Sequence, residues 1–364
     1  MKVPWWQVDM GISSHEAVRE VAESKSYSMG KYCATLEEDV MQLLETSGAI
    51  GVTSGSDALL ISLLALGIKA GDKVLVQDRS WIAAANAVAI IGAKPVFVDV
   101  EAIRPTLCLN DLKSKYDKDC KALVVVHMNG RHGDFLDVVQ FGLENQLPIL
   151  EDAAQALGSR IQNKNLGTFG EIGCFSLSIA KIVGSGQGGF CVTDDAELLK
   201  KMKMMRLHGT LDTFAAEWNS IGFNFRLTDF HAAIAINQLK LLANRIVRAA
   251  EIQARYLENL EGLTQFRIIP VDFDQGEVGP YVEALVNKDR DSLIKYLQSL
   301  GIDIRPFYPE ISSALYLSGS GSTPNATRFA ANGLYLPSGP EITNIEIDFV
   351  CNSITNYYQE RDEG

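Results

Sequence analysis

The sequence predicts an α/β fold, in which a large domain with a mostly parallel sheet flanked by helices precedes a smaller α+β domain. Short strands rich in Val and Ile alternate with helical segments between Ile50 and Asp152. These strands are apolar on both faces, which is typical of parallel strands covered by helices on both sides. A long helical segment then leads into mixed strands and helices, so we place the domains at residues 1–240 and 241–364.

The elements of the large domain follow from local patterns. The residues before position 34 are predicted to form an arm and a loop, in which Trp5 and Trp6 require burial under the main domain or against a second subunit. An apolar helical segment ends at Gly67, the usual residue at a helix C-terminus. The predicted helices are residues 34–46, 57–66, 81–91, 134–144 and 196–207, and the predicted strands are residues 50–53, 73–77, 95–100, 123–127 and 148–152.

The rest of the chain forms the link and the smaller domain. Thr228 or Asp229 can cap a helical segment that continues to about residue 260, and a helix of this length usually ties two domains together. Beyond it, the pattern predicts a strand at residues 281–286 and helices at residues 289–299 and 344–360. No repeat, low-complexity tract or flexible linker interrupts the pattern.

Composition limits the classes of function. The 364 residues carry a net charge of −12, which argues against a nucleic-acid binder or a protein that binds anionic membranes, because both need a basic surface. The six cysteines form no C-x-x-C pair and fit reduced, buried thiols better than disulfides or zinc ligands. No segment has the apolar length of a signal peptide core or a membrane span. We therefore expect a soluble, cytoplasmic protein without a metal site.

One lysine, Lys181, is the candidate for chemistry. It lies between two apolar strand-like segments, in a loop with Gly184, Gly186, Gly188 and Gly189. The glycine spacing also fits the dinucleotide fingerprint G-x-G-x-x-G, but that fingerprint requires a helix directly after it. Here an apolar strand-like segment follows, so the loop joins two strands. The alternative is that Lys181 is an ordinary surface lysine.

Four further groups follow predicted strands, where ligands gather in open α/β sheets. A loop of small residues, 53–56, enters a helix N-terminus, which suits a phosphate, although an ordinary serine cap explains it equally. Asp152 ends a buried strand and requires a cationic partner, whereas its neighbour Glu151 points to the other face. Trp81 offers a flat ring surface or is a core or interface residue. Ser176 supplies a hydroxyl.

Pyridoxal 5′-phosphate accounts for all of these groups together. Its aldehyde requires a lysine amine, its ring nitrogen a carboxylate, its ring a flat partner, and its phosphate N–H and hydroxyl donors.

Several segments resemble the nucleotide-sugar aminotransferases, which are pyridoxal phosphate enzymes of fold type I with a seven-stranded sheet. The segments are SGSDAL (54–59), GAKPVFVDV (92–100), EDAAQALGS (151–159), GTFGEIGCFS (167–176), AK-x₄-GQGG around Lys181, RLHG (206–209), GFNFRLTDFHAA (222–233) and TPNATRFAANGLYLP (323–337). They cover nearly the whole chain in order, and the pairing of EDAAQ with a downstream FS-x₄-K is specific.

The resemblance assigns roles to individual residues. It implies that Lys181 forms a Schiff base with the cofactor and moves the proton, that Asp152 keeps the ring nitrogen protonated, and that Gln155 contacts the ring hydroxyl. The residues that match the family's cofactor contacts are Gly55, Ser56, Trp81, Asp152, Gln155, Ser176, Lys181 and Asn224. Asn224 matches an asparagine that reaches the phosphate of the neighbouring subunit, which implies a homodimer with shared sites.

Three positions refine the resemblance. Lys181 separates the chain from dehydratase relatives that carry histidine there. Leu177 replaces a usual aromatic residue, and Gln187 replaces a usual acid, so the shape and charge near Lys181 differ from the family pattern.

The resemblance implies transfer of an amino group from L-glutamate to a keto carbon of a nucleotide-linked deoxysugar, in the biosynthesis of amino sugars for surface glycans. The segment RPFYP (305–309) is common in members that act at C4, which favours a 4-keto sugar. The alternatives are action at C3 and a homologue that binds the cofactor but serves as a regulator or scaffold without turnover.

Overall fold

The computed structural model describes residues 1–212, 214, 217, 218, 220–317 and 321–362. The helices of this part of the chain are α1 (Gly11–Ser24), α2 (Lys31–Leu44), α3 (Gly55–Ala65), α4 (Ala83–Ile90), α5 (Leu109–Lys115), α6 (Phe135–Asn145), α7 (Ala196–Arg206), α8 (Asp229–Leu239), α9 (Leu242–Asn259), α10 (Arg290–Ser299), α11 (Pro324–Asn332) and α12 (Asn344–Asp362). The strands are β1 (Gly48–Val52), β2 (Lys73–Gln77), β3 (Lys94–Val98), β4 (Cys120–Val126), β5 (Ile149–Asp152), β6 (Arg160–Ile161), β7 (Lys164–Asn165), β8 (Ile172–Ser176), β9 (Gly189–Thr193), β10 (Phe266–Ile268), β11 (Val282–Val286), β12 (Arg305–Pro306) and β13 (Gly333–Leu336).

The large sheet has seven strands in the order β1-β9-β8-β5-β4-β2-β3. Strand β9 runs antiparallel to both of its neighbours, β1 and β8, whereas every other neighbouring pair is parallel. This confirms the predicted α/β fold with a mostly parallel sheet. The strand–loop–strand connection from β8 to β9 also confirms that the glycine-rich loop does not lead into a helix.

Both faces of the large sheet are covered. Along β2, Leu75 faces a core formed with α2 and α6, whereas Val74 and Val76 face a second core formed with α3 and α4. Successive side chains of a strand point to opposite faces, so a strand between two cores must be apolar throughout. This explains the continuous Val- and Ile-rich segments from which the sheet was predicted.

The segment before residue 34 differs from the prediction. The sequence predicted an arm and a loop, but residues Gly11–Ser24 form α1. Ala17 and Val21 of this helix lie against Ala233 of α8, and the helix has no side-chain cap. So few buried apolar residues give only a weak helical period, because most of the helix surface is exposed.

The long helical segment predicted to end near residue 260 is two helices. Thr228 caps α8 as predicted, since its hydroxyl accepts a hydrogen bond from the backbone of His231. Helix α8 nevertheless ends at Leu239, and α9 begins at Leu242. Gln238 and Arg245 are hydrogen bonded to each other across this break and to residues far away in sequence, so tertiary contacts decide where the first helix stops.

A second sheet of four antiparallel strands, in the order β10-β11-β13-β12, carries the C-terminal part of the chain. Helices α9, α10 and α12 bury apolar side chains against one side of it. The N-terminal residues extend this region: the Val3 N–H donates to Gly301 and the Asp303 N–H donates to Val3, both at 2.9 Å. The neighbouring Trp5 is buried within its own chain, which decides between the two alternatives for this residue.

The structure also bears on membrane spans, metal sites and the state of the cysteines. In the ranges that the structure describes, no helix combines the length and apolarity needed to cross a membrane. Among the same residues, no group of three or more His, Cys, Asp or Glu side chains is arranged to hold a metal ion. The six cysteines are free thiols, and all except Cys108 are buried.

Candidate active site

A cavity of about 400 Å³ lies at the carboxyl ends of the large sheet's parallel strands. It is lined by seven of the eight residues predicted to bind the cofactor, which are Gly55, Ser56, Trp81, Asp152, Gln155, Ser176 and Lys181. Asn224, the eighth, is exposed and does not line this cavity; its side-chain oxygen accepts a hydrogen bond of 2.7 Å from Arg226. The fold therefore brings together residues that lie more than a hundred positions apart.

Lys181 projects from the loop between β8 and β9. Its backbone N–H donates to Ser178 at 3.0 Å, which closes a tight turn before the lysine. The residue is partly accessible, yet the protein around its amine is dense enough that desolvation lowers the pKa of Lys181 to about 8, although the Asp152 carboxylate acts in the opposite direction. A primary amine with a lowered pKa is a better nucleophile at neutral pH than an ordinary surface lysine.

Asp152 is the last residue of β5 and is 5% exposed. Burial raises the pKa of its carboxyl, and the Ala154 N–H, Lys181 and His127 oppose that shift. One carboxylate oxygen accepts from the Ala154 N–H at 3.1 Å, which fixes the side chain toward the cavity. Of the two cations that oppose the raised pKa of Asp152, Lys181 has the larger effect, although the described residues include no direct ion pair between Lys181 and Asp152.

The neighbouring carboxylate, Glu151, points to the opposite side of the strand, as predicted. It accepts backbone N–H bonds of 2.6–2.7 Å from Gly167, Phe169 and Gly170, and it lies 2.9 Å from the His127 ring nitrogen Nε2. These bonds satisfy a fully buried carboxylate without any ligand. Glu151 therefore holds the chain after β7 in place, and the two adjacent carboxylates have different surroundings.

The loop after β1 contains both features that the sequence suggested for it, a serine helix cap and a site suited to a phosphate. The Ser54 hydroxyl accepts from the Asp57 N–H at 3.1 Å and donates to the Asp57 carboxylate at 2.7 Å, so Ser54 is an ordinary helix cap. The next residues, Gly55 and Ser56, begin α3 at the edge of the cavity. A Cβ atom at position 55 would lie 2.9 Å from Cβ of Ser176, so only glycine fits. The helix N-terminus and two serine hydroxyls thus converge where an anion is favoured.

One wall of the cavity is aromatic. It contains Trp81, which is half exposed and contacts Tyr308 edge-on at a ring distance of 4.6 Å. Trp81 precedes α4, which begins at Ala83 rather than at residue 81 as predicted. The other lining residues of this wall, which the sequence did not assign to the site, are Trp5, Tyr281, Arg305, Tyr308 and Tyr335.

The geometry can be compared with known proteins. A sequence profile described as the DegT/DnrJ/EryC1/StrS aminotransferase family matches residues 9–355. The chain belongs to this family. The predicted family and the predicted class of enzyme, an aminotransferase, are thereby confirmed.

Relatives of this DegT/DnrJ/EryC1/StrS aminotransferase cover nearly its whole length. It is 31% identical to a GDP-perosamine synthase of Escherichia coli O157:H7, over 99% of each chain. It is also 31% identical to a dTDP-3-amino-3,4,6-trideoxy-alpha-D-glucose transaminase of Streptomyces venezuelae, over 96% of this chain and 93% of the relative. Among solved structures, S. venezuelae DesV in complex with a ketimine intermediate is similar with a TM-score of 0.91 and 30% identity, over 98% of each chain.

Proposed function

We propose that this aminotransferase transfers an amino group from L-glutamate to a keto carbon, C4, of a nucleotide-linked deoxysugar in the biosynthesis of amino sugars for surface glycans. The observation that carries the proposal is the meeting of Lys181 and Asp152 with the N-terminus of α3 in one cavity. An amine, a carboxylate and an anion-binding helix end are the groups that pyridoxal 5′-phosphate requires. The cofactor is pyridoxal 5′-phosphate, as the sequence predicted.

The residues at the site fit this cofactor. When bound, pyridoxal phosphate supplies an aldehyde that reacts with amines and a ring that accepts electrons from the reacting carbon. Gly55, Ser56 and Ser176 would hold the phosphate, because position 55 leaves no room for a side chain and both serines line the cavity. Asp152 would hold the ring nitrogen, Gln155 the ring hydroxyl, and Trp81 would lie on the ring face.

Lys181 has two tasks in this proposal. Its amine would bind the cofactor, and as a free amine it would hold and return the proton at the substrate carbon, for which a pKa near neutrality is favourable. Asp152 keeps a proton on the ring nitrogen, because its carboxylate is enclosed by protein and directed into the cavity.

The sugar substrate is supported by the relatives and by the cavity wall. The GDP-perosamine synthase and the dTDP-sugar transaminase are each named for a nucleotide-linked amino sugar. Arg305 and Tyr308, from the segment that favoured C4, line the cavity. The name of the S. venezuelae relative favours C3 as the second candidate, so the substrate test must include 3-keto and 4-keto sugars.

A homodimer completes the proposed site. Asn224 lies outside the cavity of its own chain and is free to approach the cavity of a second copy. The segment before it exposes large apolar side chains, namely Leu211, Phe214, Trp218, Ile221 and Phe223. Exposed apolar surface of this kind supports an interface with a second copy. A single mass in solution of one 39.8-kDa chain would contradict this part of the proposal.

We also propose a division into two domains and a cytoplasmic location. The division into domains of residues 1–240 and 241–364 falls in the break between α8 and α9. A cytoplasmic location is supported by the free thiols, since disulfides are rare in reducing compartments.

The first test of the function is an absorbance spectrum of the purified protein before and after L-glutamate is added. We expect a band in the visible-violet range that moves to the ultraviolet with glutamate and returns when a keto-sugar nucleotide is supplied. Absence of the band after incubation with pyridoxal phosphate would refute the proposal. A band that no amino donor and no keto sugar changes would favour the regulatory or scaffold homologue.

The lowered pKa of Lys181 gives a pH prediction for cofactor capture. Only the neutral amine attacks the aldehyde, so the capture rate follows the deprotonated fraction and rises with pH. With a pKa of about 8, roughly one amine in ten is neutral at pH 7, against about one in 3,000 for an unperturbed lysine. We expect the rate to level off above about pH 8, measured by stopped-flow absorbance on cofactor-free protein. A rate that still rises through pH 10 would contradict the lowered pKa.

A further inference from the structure

Two aromatic side chains hold the loop that carries Lys181. The Tyr281 hydroxyl donates to the backbone carbonyl of Ala180 at 2.6 Å, and the Trp6 indole N–H donates to the carbonyl of Ile179 at 3.1 Å. Both carbonyls lie within two residues of Lys181. Burial raises the pKa of Tyr281 well above its usual range, so the hydroxyl keeps its proton and remains a donor.

Tyr281 is itself fixed by Asn129, which follows β4 and is fully buried. The Asn129 side chain pairs with the backbone of Tyr281 in both directions: its oxygen accepts from the Tyr281 N–H at 2.9 Å, and its amide donates to the Tyr281 carbonyl at 2.8 Å. This arrangement imitates a pair of strand hydrogen bonds. Asn129 has φ of +52°, a left-handed conformation that asparagine tolerates better than most residues.

Asn129 also orients a predicted cofactor contact. Its backbone N–H donates to the side-chain oxygen of Gln155 at 2.7 Å. A backbone N–H can pair only with the amide oxygen, so the NH₂ group of Gln155 is the part left to donate elsewhere. Gln155 lines the cavity, where an NH₂ donor suits the oxygen of a ring hydroxyl.

Asn129 also contacts a cluster of buried charged side chains. Asn129 donates to Glu283 at 3.3 Å, and Glu283 is paired with Arg131 and lies 3.7 Å from Arg79. All four side chains are at most 1% exposed. Breaking the pair of Arg131 and Glu283 would leave an uncompensated charge in the interior, so the paired arrangement is favoured.

We propose that Asn129 and Tyr281 form a brace that positions Lys181 and Gln155 toward the cofactor. The brace rests on the function proposed above and adds two positioning residues to it. Tyr281 acts through the carbonyl of Ala180, and Asn129 acts through Tyr281 and Gln155. Preorganisation of this kind matters because a misplacement of about 1 Å at a reacting group can cost about a hundredfold in rate.

The test compares two tyrosine-to-phenylalanine variants of the cofactor-bound enzyme. Tyr281→Phe removes the hydroxyl bonded to Ala180 and keeps the ring. Tyr256→Phe is the matched control, because Tyr256 is also fully buried and its hydroxyl donates to the Pro337 carbonyl at 2.8 Å, within the core of the second sheet. The readouts are steady-state kinetics, thermal unfolding, and the circular dichroism of the visible band, which reports how rigidly the bound cofactor is oriented.

We expect Tyr281→Phe to lower kcat roughly tenfold with the KM for L-glutamate changed less than about twofold. We also expect its visible circular dichroism to fall while Tyr256→Phe matches the wild type in both readouts. Asn129→Gly keeps the backbone N–H and permits positive φ, and it should weaken the same two readouts. Combined with Tyr281→Phe, it should add less than its separate effect, since one of the two routes by which Asn129 acts runs through Tyr281.

The outcomes separate the brace from the function. A wild-type enzyme without a visible band would refute the proposed function itself. A normal wild-type band, with Tyr281→Phe equal to wild type in kcat and in circular dichroism, would overturn the brace alone. Equal losses in Tyr281→Phe and Tyr256→Phe would overturn it as well, because the loss would then reflect general stability.

Discussion

Replacing Lys181 with alanine is expected to abolish transamination, with a loss in kcat of at least about 10⁴-fold. The variant loses the amine that binds the cofactor and the base that moves the proton, and no other lysine lines the described cavity. The visible band should be absent, and the mass of the assembly in solution should be unchanged. Absorbance spectra and turnover with L-glutamate measure both effects.

Two companion variants sharpen this result. Lys181→Arg keeps a positive charge but has no primary amine, and it should be as inactive as the alanine variant. Lys94→Ala removes an exposed lysine at the start of β3 and should retain both the band and the activity. Turnover that survives in either Lys181 variant would end the assignment of Lys181 as the catalytic group.

Replacing Asp152 with asparagine is expected to lower kcat about a thousandfold while the protein still binds the cofactor. Asparagine has nearly the same shape and can still accept the Ala154 N–H, so the strand end should keep its geometry. It cannot, however, hold a proton on the ring nitrogen by charge, and this electrostatic contribution is the one that is lost. Single-turnover absorbance with L-glutamate measures the rate of the first half-reaction directly.

The neighbouring carboxylate provides a control within the same strand. Glu151→Gln replaces an acceptor of three backbone N–H bonds by an amide, so one NH₂ group would face donors. We expect a loss in the free energy of unfolding of about 2 kcal/mol, seen in denaturant titrations, with the visible band retained. If Glu151→Gln lost the band and Asp152→Asn did not, the roles given to the two carboxylates would be reversed.

The part of the cavity formed by the large sheet could be predicted because its residues belong to local patterns. Ser54, Asp152 and Ser176 each stand at or just after the end of a strand, and the strands were visible from their apolar composition. Parallel strands place their carboxyl ends at one edge of a sheet, so positions in the sequence translate directly into proximity. The fold class was predictable for the same reason.

The aromatic wall of the cavity could not be predicted from local patterns. Trp5 reaches the cavity from the N-terminal arm, and Tyr281 and Tyr335 come from the second sheet, so their approach depends on how two separate sheets are placed. No local period encodes that placement. Likewise, Asn129 follows β4 and has no sequence feature that marks it as important. Its role appears only from its hydrogen bonds to Gln155 and Tyr281, which lie far away in the sequence.

The helix boundaries that differed have a common cause. Helix α1 buries few apolar residues and has no side-chain cap, and the break at Lys240 and Leu241 contains neither glycine nor proline. Local propensity therefore gives no signal at either place. Contacts made by Gln238 and Arg245 with distant parts of the chain determine the second boundary.

The pairing of Val3 with residues 301 and 303 has a consequence for how the protein is made. During translation, the first residues leave the ribosome roughly 15 to 60 seconds before their partners, at about 5–20 residues per second. During that interval Trp5 and Trp6 cannot pack in their native positions. The backbone groups that bind the N-terminal arm belong to Gly301, Asp303 and Ser338, which are not yet synthesised. Until those partners are synthesised, the nascent chain therefore carries two indoles that their final contacts do not yet cover.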